Sequence, residues 1–356
     1  MLVIKSKNFI TSSHLIYDTG QYSWSSDIEE NSILADPGVR SLTEMCKIFG
    51  NECEPLIPEN YLKSADVLGT EPPWCSYIGN YKFQNLVDKQ IGFYEDLTKE
   101  HDGRLIEFHS KINHFVDSLK PAVYNLGLVN EGLEKHIKTH IEPHLYNGVL
   151  AKPSYVRTKT KTGRLSVTSG PNVLTMHSDL RKGLVDGYSI DFVSIEPNVL
   201  LVSQGREPRT DIYDTLQRDI FGGKISRAKV KIATMAALYG SGRGDKFAKL
   251  IEDYFKVPEK IKELEARVEN DSIRNMFGRL INLNGISGKH LLALWLQSSA
   301  ADAALYGFYN FSKLVDIVPH WIIHDGLIFI YKQNKTQIDT LDVGLQFKLP
   351  VKVEKL

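Results

Sequence analysis

RAKVKIATMAALYG, residues 227–240, sets two cations, Arg227 and Lys231, one helical turn apart in an otherwise largely apolar stretch, which is not the pattern of an ordinary solvated helix. Four residues at about 1.5 Å rise put Arg227 roughly 6 Å from Lys231 on the same side of a helix, a spacing that suits a triphosphate. On a wheel of about 100° per residue, Arg227, Lys231, Thr234, Met235 and Leu238 share one broad face, with Tyr239 at its edge before Gly240. Phosphates would meet the first part of that face, and a base-sized apolar surface lies along the rest.

Two carboxylates flank this helix in the chain. YSIDFVSIEPNVLLVS (188–203) reads as a β-rich strand with Asp191 at or near its end, continuing through Glu196-Pro197, with proline well placed for a helix's first turn. WIIHDGLIFIYK (321–332) reads as two β-rich runs joined at Asp325-Gly326, with the Asp191 strand as the expected sheet partner. A lone charge in apolar β sequence is costly unless it is paired or bound to a cation, so carboxylates on neighbouring strands would form a metal site. Oxygen ligands of this hardness select Mg²⁺, which takes one or two protein carboxylates and fills its shell with substrate phosphates and water. Taken alone, Asp325 also reads as the first residue of an Asp-Gly turn; its combination with the 227–240 helix points to phosphoryl transfer.

The rest of the chain frames these elements. The 356 residues are 42% hydrophobic and 24% charged, an ordinary globular composition with room for two or three subdomains. The 43 basic and 43 acidic residues cancel, so any nucleic-acid footprint must be a local patch. Cys46, Cys53 and Cys75 form no Cys-x-x-Cys pair and read as reduced cytosolic thiols. The start shows no secretory leader, and no window approaches a membrane span. Residues 1–85 lack a sustained period. From Phe83 to about Tyr146 the spacing predicts two long helices and a third around EGLEKHIKTHI. In YVRTKTKTGRL, Arg157, Lys159 and Lys161 alternate with threonines, which predicts a strand with one basic face, suited either to a phosphate backbone or to a solvated edge. Residues 290–315 predict one long helix too apolar for the surface.

In order along the chain, TGRLS (162–166) with Pro171-Asn172, DFVSIE (191–196), RAKVKIATMAALYG, LQSSAAD (296–302) and IHD (323–325) resemble the motifs of family A DNA polymerases, the DNA polymerase I type. The resemblance covers residues from about 86 to the end. It implies an α+β right-hand fold: a helical thumb at 86–150, an antiparallel-sheet palm at 151–205 and 285–356, helical fingers at 206–284, and residues 1–85 of unknown role. It implies a template-directed polymerase that extends a primer with dNTPs, in which Asp191 and Asp325 bind two Mg²⁺ ions, with Mn²⁺ as a substitute. Arg227 and Lys231 would hold the triphosphate, with Lys231 donating a proton to pyrophosphate. Tyr213 matches a phosphate-contacting position, Glu196 the steric gate against a ribose hydroxyl, and Tyr239 the ring beside the templating base, next to Met235 and Gly240. Arg164, Gln297 and His324 match residues touching the primer–template near its terminus, where minor-groove acceptors report fit without sequence. Asn172 and Arg279 are further duplex or template candidates, with surface placement as the alternative.

The chain departs from the family at Gly326, where glutamate is usual, at Glu196-Pro197, and at Met235, where an aromatic residue is usual. Met235, Tyr213 and Gly326 are similar instead to single-subunit phage RNA polymerases, so an enzyme using rNTPs is the alternative; Glu196, TGRLS and the Gln297 segment argue for DNA. A catalytically inactive DNA-binding subunit is a third reading, opposed by the retention of both aspartates and both cations. Asp27 and Glu29 have the spacing of one exonuclease motif, yet about 85 residues are too few for that domain, so they read as a solvated turn and no fused proofreading domain is expected. His136, His140 and His144 could face a zinc ion at i, i+4, i+8 but lack the HExxH glutamate, and they read as surface histidines. A phage or mobile-element replication enzyme is expected, in a bacterial host's cytoplasm or nucleoid, with room for a separate exonuclease or processivity factor and no membrane association.

Overall fold

Short apolar runs at the start of the chain pair into a four-stranded sheet. Its strands are β1 (Leu2–Ile4), β2 (His14–Asp18), β3 (Gln21–Ser25) and β4 (Ile33–Leu34), in the order β3-β2-β1-β4. β4 runs parallel to β1, and the other pairs are antiparallel. Five helices follow: α1 (Leu42–Phe49), α2 (Glu59–Val67), α3 (Trp74–Ile78), α4 (Asn80–Glu100) and α5 (Gly103–Ser118). The computed structural model describes residues 1–240, 246–333 and 335–356. It divides into two units, Met1–Ser118 with Tyr155–Thr158, and Leu119–Ser154 with Lys159–Leu356.

In the first unit, Leu2 and Ile4 of β1 share one core with Leu42 and Met45 of α1 and with Phe83, Val87 and Ile91 of α4. The sequence boundary drawn at residue 85 therefore falls inside a single hydrophobic core. The apolar stripe of α4 needs a surface to cover it, and the N-terminal sheet and α1 supply that surface. The 86–150 stretch is likewise divided between the two units at residue 118. The basic strand expected at 157–161 does not form either. A short strand, β8 (Ser154–Val156), stops before it, and Arg157 is fully buried, donating to the Asn113 side chain and, from Nη2, to His109 Nδ1 at 2.9 Å. A guanidinium taken from water must be met by acceptors, and α5 provides them, which removes Arg157 from any exposed face.

The second unit mixes helices with an antiparallel sheet. Small strands β5 (Ala122–Val123), β6 (Leu145–Tyr146) and β7 (Val149–Leu150) surround α6 (Glu134–His140) in sequence. After β9 (Ser166–Ser169) come β10 (Tyr188–Phe192), α7 (Ile195–Ser203), α8 (Ile212–Asp219), α9 (Arg227–Tyr239), α10 (Lys246–Tyr254) and α11 (Val257–Glu265). A hairpin of β11 (Ser272–Arg274) and β12 (Leu280–Asn282) leads to the long α12 (Gly288–Leu314), then β13 (Ile317–Ile323), β14 (Gly326–Tyr331), β15 (Thr340–Asp342) and β16 (Lys348–Lys355).

The five-stranded sheet has the order β13-β14-β10-β16-β15, so β10 lies in its centre. Helix α12 is buried along most of its length, as its composition demands. It packs against α7, α9 and α11. Asp302, on α12, accepts both Nε (2.9 Å) and Nη2 (2.8 Å) of Arg279 and, with Ser298, a bond from the Asn275 amide. Gly163 lies over that guanidinium: a Cβ there would meet Arg279 Cζ at 2.5 Å. This buried polar cluster ties the β11–β12 hairpin and the Gly163 turn to the long helix. Among the described residues, no helix is long and apolar enough to cross a membrane.

Candidate active site

Asp191 and Asp325 meet because two antiparallel strands place them there. Asp191 of β10 stands opposite Gly326 of β14, and the backbone N–H of Phe192 donates to the Asp325 carbonyl at 3.2 Å. The connection from β13 to β14 is His324–Asp325, one residue earlier than the Asp-Gly reading put it, with His324 in the left-handed region (φ 56°). Gly326 is the first residue of β14 and pairs with both Ile323 and Asp191. A Cβ on Gly326 would lie 2.3 Å from Asp191 Oδ1, so the bare glycine leaves room for the Asp191 carboxylate.

The surrounding protein pushes the Asp191 carboxyl above its ordinary value. Desolvation is the main cause, repulsion from Asp325 adds to it, and a hydrogen bond with Ser189 opposes it. Both aspartates keep solvent exposure, and a carboxylate partly desolvated beside another is one that a hard divalent cation relieves, so the donor chemistry fits Mg²⁺. Among the described residues, no cluster of three or more His, Cys, Asp or Glu offers a fuller ligand set. Metal binding at this site would rest on the two aspartates.

Glu196 sits in the first turn of α7, just past Ser194, whose backbone is left-handed (φ 51°). The start of this helix is stapled by the fully buried Asn198. Its amide donates to the carbonyls of Val193 (3.0 Å) and Arg209 (3.1 Å), and its oxygen accepts from Arg209 N–H (2.8 Å). The Glu196 carboxylate takes an ion pair from Arg164 Nη2 at 2.8 Å. The Tyr239 hydroxyl hydrogen-bonds with both Glu196 and Gln297. It is pushed well above its ordinary value, first by burial and then by the Glu196 charge. Arg164, Glu196, Gln297, His324 and Asp325 together line a cavity of about 340 Å³ whose remaining wall is largely apolar.

Helix α9 begins at the cap Ser226, whose hydroxyl accepts from Lys229 N–H, and ends at left-handed Gly240. Thr234 and Leu238, expected on the nucleotide-facing side, are fully buried, and the Thr234 hydroxyl donates to the Val230 carbonyl at 2.8 Å. The open stripe is narrower than the wheel predicted: exposed Arg227 and Lys231, then half-buried Met235 and Tyr239. Packing against α8, α10 and α12 buries Val230, Ala233, Thr234, Ala237 and Leu238, while Ala228, Lys229 and Ile232 stay exposed on another side of the helix. The Arg227 guanidinium lies 5.3 Å from the centre of the Tyr213 ring. Tyr213 is itself buried, and its hydroxyl is raised mainly by that burial, with a hydrogen bond from Ser194 opposing it.

Other candidates lie elsewhere. Arg279 is held inside by Asp302, and Asn172 occupies an exposed loop outside the cavity lining. Asp27 and Glu29 are exposed in a loop. His136 and His140 stack at 6.3 Å on α6, with His177 rather than His144 as the next ring, 5.5 Å from His136. Sequence reasoning missed Asn198 and Asp211. Asp211 carried a legible signal, because an aspartate ahead of IYDTLQRD is a helix N-cap. Asn198 carried none, since its three partners are all backbone atoms brought near only by folding.

No protein-family model matches the chain, and no curated protein matches its sequence. Among solved structures, the chain is similar to the POL domain of Pol1 from M. smegmatis in complex with DNA primer-template and dNTP, at 15% identity and a TM-score of 0.45. The match covers 89% of this chain and spans 63% of that one.

Proposed function

We propose that the protein is a template-directed DNA polymerase that extends a primer with dNTPs. The observation that carries this reading is the adjacency of Asp191, on β10, and Asp325, in the turn that leads into the paired strand β14, within the unit that also carries Arg227 and Lys231 on the open stripe of α9. Asp191 and Asp325 hold the divalent cations. When bound, Mg²⁺ supplies Lewis acidity for activating the primer hydroxyl and for the leaving pyrophosphate. Arg227 binds the triphosphate, and Lys231 gives its proton to the departing pyrophosphate oxygen. Tyr213 flanks Arg227 near those phosphates, and Met235 borders the base. Glu196, fixed by Arg164 and Tyr239, closes the pocket against a ribose 2′-hydroxyl. Tyr239 and Gly240 border the template. Arg164, Gln297 and His324 face the primer–template end, with Asn172 at the duplex, and Arg279 supports the Gly163–Arg164 turn from beneath. Palm, fingers and thumb are assigned as the sequence resemblance drew them, except that α4 and the N-terminal sheet share one core.

Primer extension with Mg²⁺ and all four dNTPs tests the proposal. Asp191→Ala and Asp325→Ala should each reduce extension at least about 100-fold, and wild-type rates in either variant refute the assigned centre. Gly326 and Met235 keep rNTP use as the competing reading. Offering dNTPs against rNTPs on one primer–template decides between them: preferential rNTP incorporation by the unmodified protein defeats the DNA assignment, whereas a gain of rNTP use in Glu196→Ala supports it.

A further inference from the structure

The guanidinium of Arg227 is already engaged. Asp211 Oδ2 accepts from Nη2 at 2.6 Å and from Nε at 3.0 Å, and Asp214 Oδ1 lies 3.1 Å from Nε. The Tyr213 ring borders the guanidinium as well. These acids both come from the start of α8, while Arg227 opens α9, so the grip joins the first turns of two neighbouring helices.

Neither acid depends on the arginine. Asp211 uses its other oxygen, Oδ1, to cap α8, accepting from Tyr213 N–H (3.0 Å) and Asp214 N–H (3.1 Å). Asp214 is exposed and sits in the first turn of α8, where the helix dipole favours a negative charge. Arg227 could therefore leave without stranding a buried charge. While it stays, the edge of its fork formed by Nε and Nη2 is occupied by carboxylate and is closed to bidentate phosphate binding.

We propose that Asp211 and Asp214 form a parking site for Arg227, which a nucleoside triphosphate must outcompete, so that these two acids set the nucleotide concentration at which the enzyme works. The inference rests on the triphosphate-binding role proposed for Arg227. Nucleotide entry then exchanges one charge-assisted pair for another: the arginine passes from the α8 carboxylates to the phosphates, and the acids remain satisfied by the helix N-terminus and by water. The carboxylates act only through the arginine, as positioning residues.

The test uses the full chain with Asp211→Asn and Asp214→Asn, singly and together. Asparagine caps a helix about as well as aspartate, so the cap is kept while the charge is lost. For exposed ion pairs of ordinary strength, the double variant should lower the nucleotide KM roughly three- to tenfold, with kcat changing less than KM. Calorimetric titration of dATP with Mg²⁺ should tighten by the same factor. In an Arg227→Ala background the same substitutions should change nothing. An unchanged or raised KM overturns the proposal, as does a tightening that persists without Arg227, which would come from the general field of the two acids. The calorimetric arm needs no catalysis. Absence of primer extension by the unmodified protein would therefore defeat the polymerase reading alone, whereas absence of any dATP binding would defeat the parking site.

Discussion

Replacing Gly326 with alanine puts a methyl carbon 2.3 Å from Asp191 Oδ1 and 3.2 Å from its Cγ, while the nearest backbone atom, the Ile323 carbonyl oxygen, stays at a tolerable 3.4 Å. Restoring ordinary van der Waals separation requires a displacement of roughly 1 Å. The obstructing atom is the end of a side chain, so Asp191 should swing aside while the paired backbones of β10 and β14 hold. An off-rotamer carboxylate costs on the order of 1 kcal/mol, and the reduced freedom of the unfolded chain offsets about 0.4–1 kcal/mol of that. The melting curve of Gly326→Ala should therefore lie close to that of the parent. Activity should not. A 1 Å misplacement of a catalytic group costs about 100-fold, and the Mg²⁺ concentration for half-maximal extension should rise with it. Primer extension across a Mg²⁺ titration, with thermal melts in parallel, measures both. A variant with parental rate and parental Mg²⁺ requirement would refute the argument that the bare glycine positions Asp191. The same crowding predicts that Gly326→Glu, which restores the family's usual residue, fails to raise activity.

Two further predictions concern stability in the second unit. Asp302→Ala removes the carboxylate that receives both Nε and Nη2 of the buried Arg279; breaking such a buried pair should cost about 3–5 kcal/mol in chemical denaturation, and a loss below about 1 kcal/mol would refute a structural role for the pair. His320 is buried with Nδ1 at 3.0 Å from the Lys120 carbonyl, and its pKa is lowered, chiefly by desolvation, with the Lys120 and Pro121 carbonyls opposing. A histidine whose folded value lies below its unfolded value of about 6.5 stabilises fully above that pH and loses the contribution as pH falls through the folded value. His320→Gln should flatten that acid-side slope in melts between pH 7 and 5; an unchanged slope would assign it to other groups.

Local pattern carried the reading of the central elements. The apolar runs around Asp191 and Asp325 were legible as strands because β-branched and aromatic residues dominate them, and their pairing followed from the need to cover two apolar strands. The length and burial of α12 were legible from LLALWLQSSAADAALYGF, an apolar run whose one charge is Asp302. Alternation misled at 157–161, because its basic residues were read as equally solvated, while His109 and Asn113 wait in α5 to accept from Arg157. Arg279 misled in the same way, since its partner Asp302 lies 23 residues further along the chain.

Periodicity and side-chain chemistry are local properties, so the chain's own pattern marked most of the strands and helices around the site and the residue types that could hold metal and phosphate. Tertiary structure decided which of those residues are available. It buried Thr234, Leu238, Arg157 and Arg279, left Arg227 in the grip of Asp211 and Asp214, and set Asp191 over the bare backbone of Gly326. Each of these outcomes turns on which atoms arrive from distant parts of the chain. Whether a charge is spent inside the protein or kept for a ligand depends on those neighbours, and they meet only in the folded state.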